Sequence, residues 1–484
     1  MADLRSTGPS IGYKWKEISG LPEDLDSMRD LELESLCEVW AGEKERAERD
    51  SRVEDFNARL AREWAIETGI IEGIYTLDRG ITQTLIERGI DSAYIPHDGT
   101  NRDPELVART IQAHAEVLDG LFAFVNGERA FGTGYIKELH SALLRHQDSV
   151  VVFNQSGQSY ETPLEKGLYK KMANNPLRPD GVIHEYCPPE HVAAEMDRLV
   201  QFHQVHLRRA IGPHVIAAWL HHAFTQIHPF QDGNGRVART LATLVFIKSR
   251  WFPLVVNRDD REKYIDTLES ADRGDLSPLV RLFSQLQKRA LTKAIGAAAD
   301  VKPVGSVEEA LVATRDMLVD LGRIIPSEFT NSKNLARLLL NDTTSKLKGI
   351  ATRLTNEISQ TNPEFAFSSG TLAQPQANEI RSVAEKLKYD PNLSTFHQSE
   401  VVTLKAGDTS SRIVVSFQGV GAAFRGLLIA VAYFQIGDGL AVPISEDVFR
   451  ISYKETPNEI RLRFEKWISD CLIEGIAQWR RSLV

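Results

Sequence analysis

The chain has 484 residues, 42% of them apolar and 25% charged, with a formal charge of −9. These values describe a globular chain of two or three domains that can bury a sizeable core. They argue against a broad basic surface for nucleic acid. No run reaches the roughly 18 apolar residues of a membrane span, and the first residues do not read as a secretory leader.

Cys37, Cys187 and Cys471 are odd in number and far apart, so neither a disulfide framework nor a zinc site is expected. A reducing, cytoplasmic setting follows. Along residues 22–66, Leu31, Leu33, Leu36, Val39 and Trp40, then Phe56, Leu60 and Trp64, recur at helical intervals. Two helices are predicted, the second running through about Ile74, although Gly69 and Gly73 weaken its end. Helical patterns return at 104–123 and 134–145, and 149–163 reads as a strand and loop. Residues 167–187 read as strand, turn, strand around Pro176, Pro179 and Gly181. Further helices are expected at 188–210, 213–227, 234–248, 258–271 and 277–295. Beyond Pro303 come helices at 306–322 and 331–360, a linker at 361–376 and a short helix at 377–388. Antiparallel strands follow within 400–453, and an amphipathic helix occupies 457–481. The most apolar run, 426–443, is broken by Gln435 and Asp438 and suits a buried strand. No solenoid repeat is present.

The chemistry concentrates in His228–Pro229–Phe230–Gln231–Asp232–Gly233–Asn234–Gly235–Arg236, with Arg239 one helical turn on. An apolar helix runs into this segment and another leaves it. A glycine-rich loop ending on a helix N-terminus suits an anion, because its N–H groups point outward and the helix dipole is positive there. Arg236 and Arg239 share a helix face, and two guanidinium forks fit a polyphosphate. Asp232 beside them would repel phosphate unless a cation such as Mg²⁺ lay between. His228 has the side chain of a general base near neutrality. Phe230 points the other way, into the core. Taken singly, each element is an ordinary helix joint; the whole set points to phosphoryl-type transfer.

HPFQDGNGR-x-x-R resembles the signature of the Fic family, H-x-F-x-[DE]-G-N-G-R-x-x-R, at every defined position. The likeness covers roughly residues 104–295. It implies a mainly α fold: a helical core with a β-hairpin flap at about 168–187, which aligns the target segment by strand addition. It implies transfer of AMP from ATP to a Ser, Thr or Tyr hydroxyl of a target protein, self-modification included. His228 would be the base and Asp232 the Mg²⁺ ligand. Gly233, Asn234 and Gly235 would cradle the α- and β-phosphates, Arg236 would bind the β-phosphate and Arg239 the γ-phosphate. Tyr264, Ile265 and Asp272 resemble the adenosine pocket, and Ile183, His184, Glu185 and Tyr186 the flap beside the nucleotide.

Thr68–Gly69–Ile70–Ile71–Glu72–Gly73 resembles the family's inhibitory motif, [ST]-x-x-x-E-[GN], in the class that carries it N-terminal to the loop. The resemblance implies that Glu72 forms a bidentate pair with Arg239 and removes the partner of the γ-phosphate. The expected organisation is an N-terminal helical region at 1–103 with an inhibitory helix near 60–74, a catalytic core at 104–295, and a C-terminal α+β module at 300–484. That module is open to target recruitment or homo-oligomer formation. Three alternatives stand beside AMP transfer: AMP removal with Glu72 as base, transfer of another phosphate-linked group, and a nucleotide-binding regulator. His203, His206, His214, His221 and His222 lack partners at metal spacing and are expected in the core or at the surface.

Overall fold

The computed structural model describes residues 11–47, 51–127, 129–153, 159–176, 182–297, 326–360, 362–372, 376–421 and 424–483. The chain forms two compact units, one of Met1–Asp30 with Asn57–Gln287, the other of Leu31–Phe56 with Lys288–Val484. Among the described residues no helix is long and apolar enough to cross a membrane.

In chain order the elements begin with β1 (Ile11–Tyr13), α1 (Leu31–Ala47), which belongs to the second unit, and α2 (Ser51–Ile71). The first unit continues with α3 (Arg79–Arg88), α4 (Pro104–Asn126), α5 (Thr133–Leu143), β2 (Ser149–Phe153), β3 (Ser159–Pro163) and β4 (Ile183–His184). Then come α6 (Pro189–Leu207), α7 (Pro213–Ile227), α8 (Asn234–Lys248), α9 (Arg261–Asp272) and the start of α10 (Ser277–Ala297). Helices α7 and α8 are buried along nearly their whole length, His214–Phe224 in one and Arg236–Ile247 in the other. A helix apolar on all sides must sit at the centre of a core. The amphipathic helices surround this pair, with Ile111, Leu118, Phe224, Phe246 and Phe283 in the shared core. Helix α4 starts where Asp103 accepts from the Leu106 N–H at 2.9 Å, with Pro104 in the first turn.

His203, His206, His214, His221 and His222, expected in the core or at the surface, are buried, and among the described residues no group of three or more His, Cys, Asp or Glu could hold a metal ion. Burial pushes His114 down to about 3 and His140 and His203 down to about 4, so they stay neutral in the folded unit. Unfolding frees them to take up protons below their ordinary 6.5. Their contribution is therefore complete above pH 6.5 and is lost as the pH falls towards 4. The loss is about 1.4 kcal/mol per pH unit for each histidine. The urea midpoint of this unit is expected to fall between pH 7 and pH 5. An unchanged midpoint would contradict the neutral assignment.

Strands β2 and β3 pair antiparallel, Ser149 opposite Pro163 and Phe153 opposite Ser159, where one strand and a loop were expected. The flap corrects the expected pairing. Only Ile183–His184 is strand among the described residues of 168–187, and it pairs in parallel with β1. Among the described residues one backbone bond, His184 N–H to the Pro176 carbonyl at 3.1 Å, links the two arms. The first arm is held to the catalytic loop by the Lys170 N–H, which donates to the Pro229 carbonyl at 2.8 Å, and by side chains. Asn174 donates to the Phe230 carbonyl at 2.9 Å, and Asn175 accepts from the Tyr186 N–H at 2.9 Å. Such local bonds compete with a ladder, and Pro176 lacks a donor for one.

The second unit holds α11 (Pro326–Leu354), β5 (Phe365–Thr371), α12 (Ala377–Leu387), β6 (Pro391–Ala406), β7 (Thr409–Val420), β8 (Leu427–Ile436), β9 (Val442–Pro443), β10 (Phe449–Ser452) and α13 (Pro457–Arg481). Its antiparallel sheet runs β10-β8-β7-β6-β5, with β9 on β8. Alternate residues Val402, Leu404, Ile413, Val415, Phe417 and Leu428 meet Leu339, Leu347, Phe464 and Ile468 of α11 and α13. Strand β8, Leu427–Ile436, is buried up to Gln435, as the composition of this run implied. The linker expected at 361–376 contains β5 instead. Its Phe365 and Phe367 alternate onto the Trp479 ring at 6.3 and 5.6 Å. The helix expected at 306–322 lies outside the described residues.

Helix α1 also departs from the N-terminal region its position suggested. Glu32 meets Lys288 at 2.9 Å, Arg463 at 3.1 Å and Arg450 at 3.5 Å, so its charge is satisfied within the second unit.

Candidate active site

Helix α7 ends at His228, whose backbone is left-handed (φ 50°, ψ 58°). Its N–H reaches the Phe224 carbonyl at 2.9 Å. This conformation costs a non-glycine residue about 1–2 kcal/mol and turns the ring out of the helix line. The ring Nδ1 donates to the Thr225 carbonyl at 3.3 Å, which leaves the Nε2 lone pair available. Burial, then the charge of Lys170, pushes His228 down to about 3, so the imidazole is neutral. Tyr186 covers it in a parallel stack at 3.7 Å.

The loop is pinned from below. Phe230 is fully buried and stacks on His140 at 3.9 Å. The Asn234 carboxamide accepts from Phe230 N–H at 2.9 Å and donates to its carbonyl at 2.8 Å. That side chain is turned inward, so Asn234 can offer an anion only its backbone. His140 Nδ1 accepts from Gly167 N–H at 2.8 Å, so its Nε2–H donates to the Asp232 carbonyl at 3.0 Å. Gly233 has φ 76°, and a Cβ there would stand 2.6 Å from Leu144.

Arg236 and Arg239 rise from the first turns of α8, both almost fully buried. Gln147, which the sequence reading passed over, joins two of the predicted groups. Its Nε2 donates to Asp232 Oδ2 at 2.6 Å, and its Oε1 accepts from Arg236 Nη2 at 2.7 Å. It carries no motif, so only the fold reveals it. Lys170 was likewise missed. Its ammonium lies 5.7 Å from the Tyr186 ring centre and donates to Asn174 at 2.8 Å, and burial draws it down to about 8.

Glu72 meets Arg239 through a single bond, Nη1 to Oε1 at 2.7 Å, not the expected bidentate pair. The second Arg239 fork arm approaches the Thr68 carbonyl at 3.4 Å. Thr68 therefore contributes its backbone, while its hydroxyl donates to Trp64 O at 2.7 Å. Burial lowers the pKa of Arg239, but Glu72 and Tyr264 together outweigh it, and the net shift is upward. Both glycines of the segment have structural reasons. A Cβ at Gly69 would run into the Tyr75 ring, and Gly73 takes φ 67° where the helix closes. Gly235 leaves the space that the Glu72 carboxylate fills. Arg258 fixes this helix end through Glu67 at 2.9 Å and the Leu77 carbonyl at 2.6 Å.

The adenosine-pocket candidates lie on or at the end of α9 in different surroundings. Tyr264 is buried with its hydroxyl on His221 Nε2 at 2.7 Å, Ile265 is exposed, and Asp272 is tied to His222 at 3.0 Å. The flap residue His184 comes within 3.9 Å of Asp272. Burial pushes the Cys187 thiol up to about 12, so it is no activated nucleophile.

Glycine amides on a helix start, two buried guanidinium groups, a directed carboxylate and a neutral imidazole can together hold a polyphosphate and accept a proton. Residues 130–246 match the Fic/DOC family, and the chain contains a Fic domain there. It is 27% identical over 251 residues to the protein adenylyltransferase fic-1 of Caenorhabditis briggsae, covering 49% of this chain and 43% of that one. The protein adenylyltransferase Fic of Nematostella vectensis is 24% identical over 177 residues, 35% of this chain and 40% of that one. The chain thus spans less than half the length of these relatives. A Fic domain containing signaling protein from Bacteroides thetaiotaomicron superposes with a TM-score of 0.45 at 23% identity, over 56% of this chain and 99% of that one. The Glu72 segment lies outside residues 130–246.

Proposed function

We propose that this chain is a protein adenylyltransferase of the cytoplasm, which moves AMP from ATP to a Ser, Thr or Tyr hydroxyl and is held at low activity by Glu72. The observation that carries the reading is the convergence of His228, Asp232, Arg236 and Arg239 around the start of α8. The names of its relatives support it. In this account the Gly233–Gly235 amides and Arg236 hold the α- and β-phosphates, and Arg239 holds the γ-phosphate once Glu72 leaves it. The neutral His228 takes the proton of the incoming hydroxyl at Nε2 as that oxygen attacks the α-phosphorus, and pyrophosphate departs.

Mg²⁺ fits the donor set. Asp232 offers one carboxylate, and Mg²⁺ bound with a nucleotide takes its remaining ligands from phosphates and water. When bound it would neutralise phosphate charge. Gln147 bridges the Asp232 and Arg236 side chains, which themselves meet at 3.5 Å, and so fixes the aim of both. Gln147→Ala is expected to slow transfer on the order of 10-fold, the usual scale for groups that orient a ligand. A rate equal to that of the unaltered chain would show that the carboxamide positions nothing.

The reading is tested with ATP labelled at the α- or the γ-phosphate. Protein-bound label is expected from the α position only. Label from the γ position would make the chain a kinase, and loss of AMP from a pre-modified protein would favour hydrolysis.

A further inference from the structure

The edge of β4 is already taken. β1 lies parallel to it, Ile11 opposite Ile183 and Tyr13 opposite His184, and the Glu185 N–H donates to the Tyr13 carbonyl at 2.9 Å. Gly12 permits this approach, since a Cβ there would run into Val182 Cγ1. The Tyr13 ring stacks on His184 at 4.4 Å, and its hydroxyl accepts from Gln226 Nε2 at 2.7 Å. His184 lies 4.8 Å from the Tyr186 ring, and Tyr186 stacks on His228. A ladder of four rings therefore runs from β1 to the histidine.

The three residues of β1 lead into a firmly anchored strap. Trp15 stacks on His191 at 5.5 Å, and the Ile18 N–H donates to the buried Glu195 at 2.8 Å. Trp219 Nε1 donates to the Ser19 carbonyl at 2.8 Å, and the Leu21 N–H to His206 Nε2 at 3.0 Å. Anchoring next door gives a short, weak strand a high effective concentration at the flap. It can fill the edge without binding tightly.

We propose that β1 is a displaceable guard on the acceptor edge. An extended segment of the protein to be modified, with an aromatic ring in the place of Tyr13, is the partner this edge fits. While β1 is seated, the edge groups of β4 are used, and the ring ladder keeps Tyr186 over His228, where an acceptor hydroxyl must arrive. Displacing three residues frees both at once. The inference rests on the AMP-transfer reading for what the edge is for, but the occupancy of the edge can be measured without ATP.

Two variants unseat the strand: deletion of residues 1–14, which keeps the anchors from Trp15 onward, and Gly12→Val in the full chain, which collides with Val182. The probe is a fluorescent peptide of this chain's residues 8–16, added in trans. Both variants are expected to bind it saturably, at least tenfold more tightly than the unaltered chain. Equal binding by variants and unaltered chain would overturn the proposal. In the Glu72→Gly background, transfer is expected to rise severalfold with Gly12→Val. A fall would make β1 a support of the flap, and would also overturn it. A chain that transfers no AMP silences only the second arm, so the two readings fail separately.

Discussion

Glu72→Gly is expected to raise AMP incorporation and tighten ATP binding. The carboxylate that meets Arg239 at 2.7 Å is removed, and the guanidinium regains a phosphate partner. A hydrogen bond to a charged group contributes roughly 1.5–3 kcal/mol, which corresponds to a gain in ATP affinity on the order of 10- to 100-fold. The larger gain is in transfer, because the α-phosphorus comes into line with the incoming hydroxyl. Some helix end is lost with the substitution, since glycine is about 1 kcal/mol poorer than alanine in a helix. Glu72→Gln separates that effect, as it keeps the size and drops the charge. Adding Arg239→Ala should cancel the gain. Titration calorimetry with ATP, beside the rate of label incorporation, checks both halves. Equal rates in the unaltered and Glu72→Gly chains would leave the Thr68–Gly73 segment an ordinary helix end.

His228→Ala should abolish transfer and spare ATP binding. The imidazole stands at the close of α7, with Nδ1 committed to the Thr225 carbonyl and Nε2 available to a nucleophile's proton. Removing a general base typically costs on the order of 10²–10⁴-fold in rate. The phosphate-facing groups, Arg236 and Arg239, belong to α8 and do not depend on it. Unchanged transfer in this variant would take His228 out of the reaction. A large loss of ATP affinity would show that the ring holds nucleotide instead.

The loop and the helices around it were legible because their signals are local. Apolar periodicity marked α7 and α8, and a contiguous motif marked the residues between them. The Glu72–Arg239 contact was legible only through a second motif, and its single-bond geometry was not, because the Thr68 carbonyl takes the other fork arm. Gln147 and Lys170 were invisible, since neither belongs to a pattern; Gln147 acts through Asp232 and Arg236, and Lys170 through its charge on His228. The pairing of β4 with β1 was hidden because 169 residues lie between the strands, and only Gly12 hints at a close approach. Helix α1 was misplaced because neighbours in sequence need not share a core. Its burial and its Glu32 charge are satisfied by residues beyond 287.

The central claim, AMP transfer restrained by Glu72, is tested most directly by intact-mass spectrometry of the Glu72→Gly chain after incubation with ATP and Mg²⁺. The account predicts a mass gain of one or more adenylyl groups, much smaller in the unaltered chain and absent from the Glu72→Gly/His228→Ala pair. No gain in the Glu72→Gly chain, or a gain that persists without His228, would contradict it.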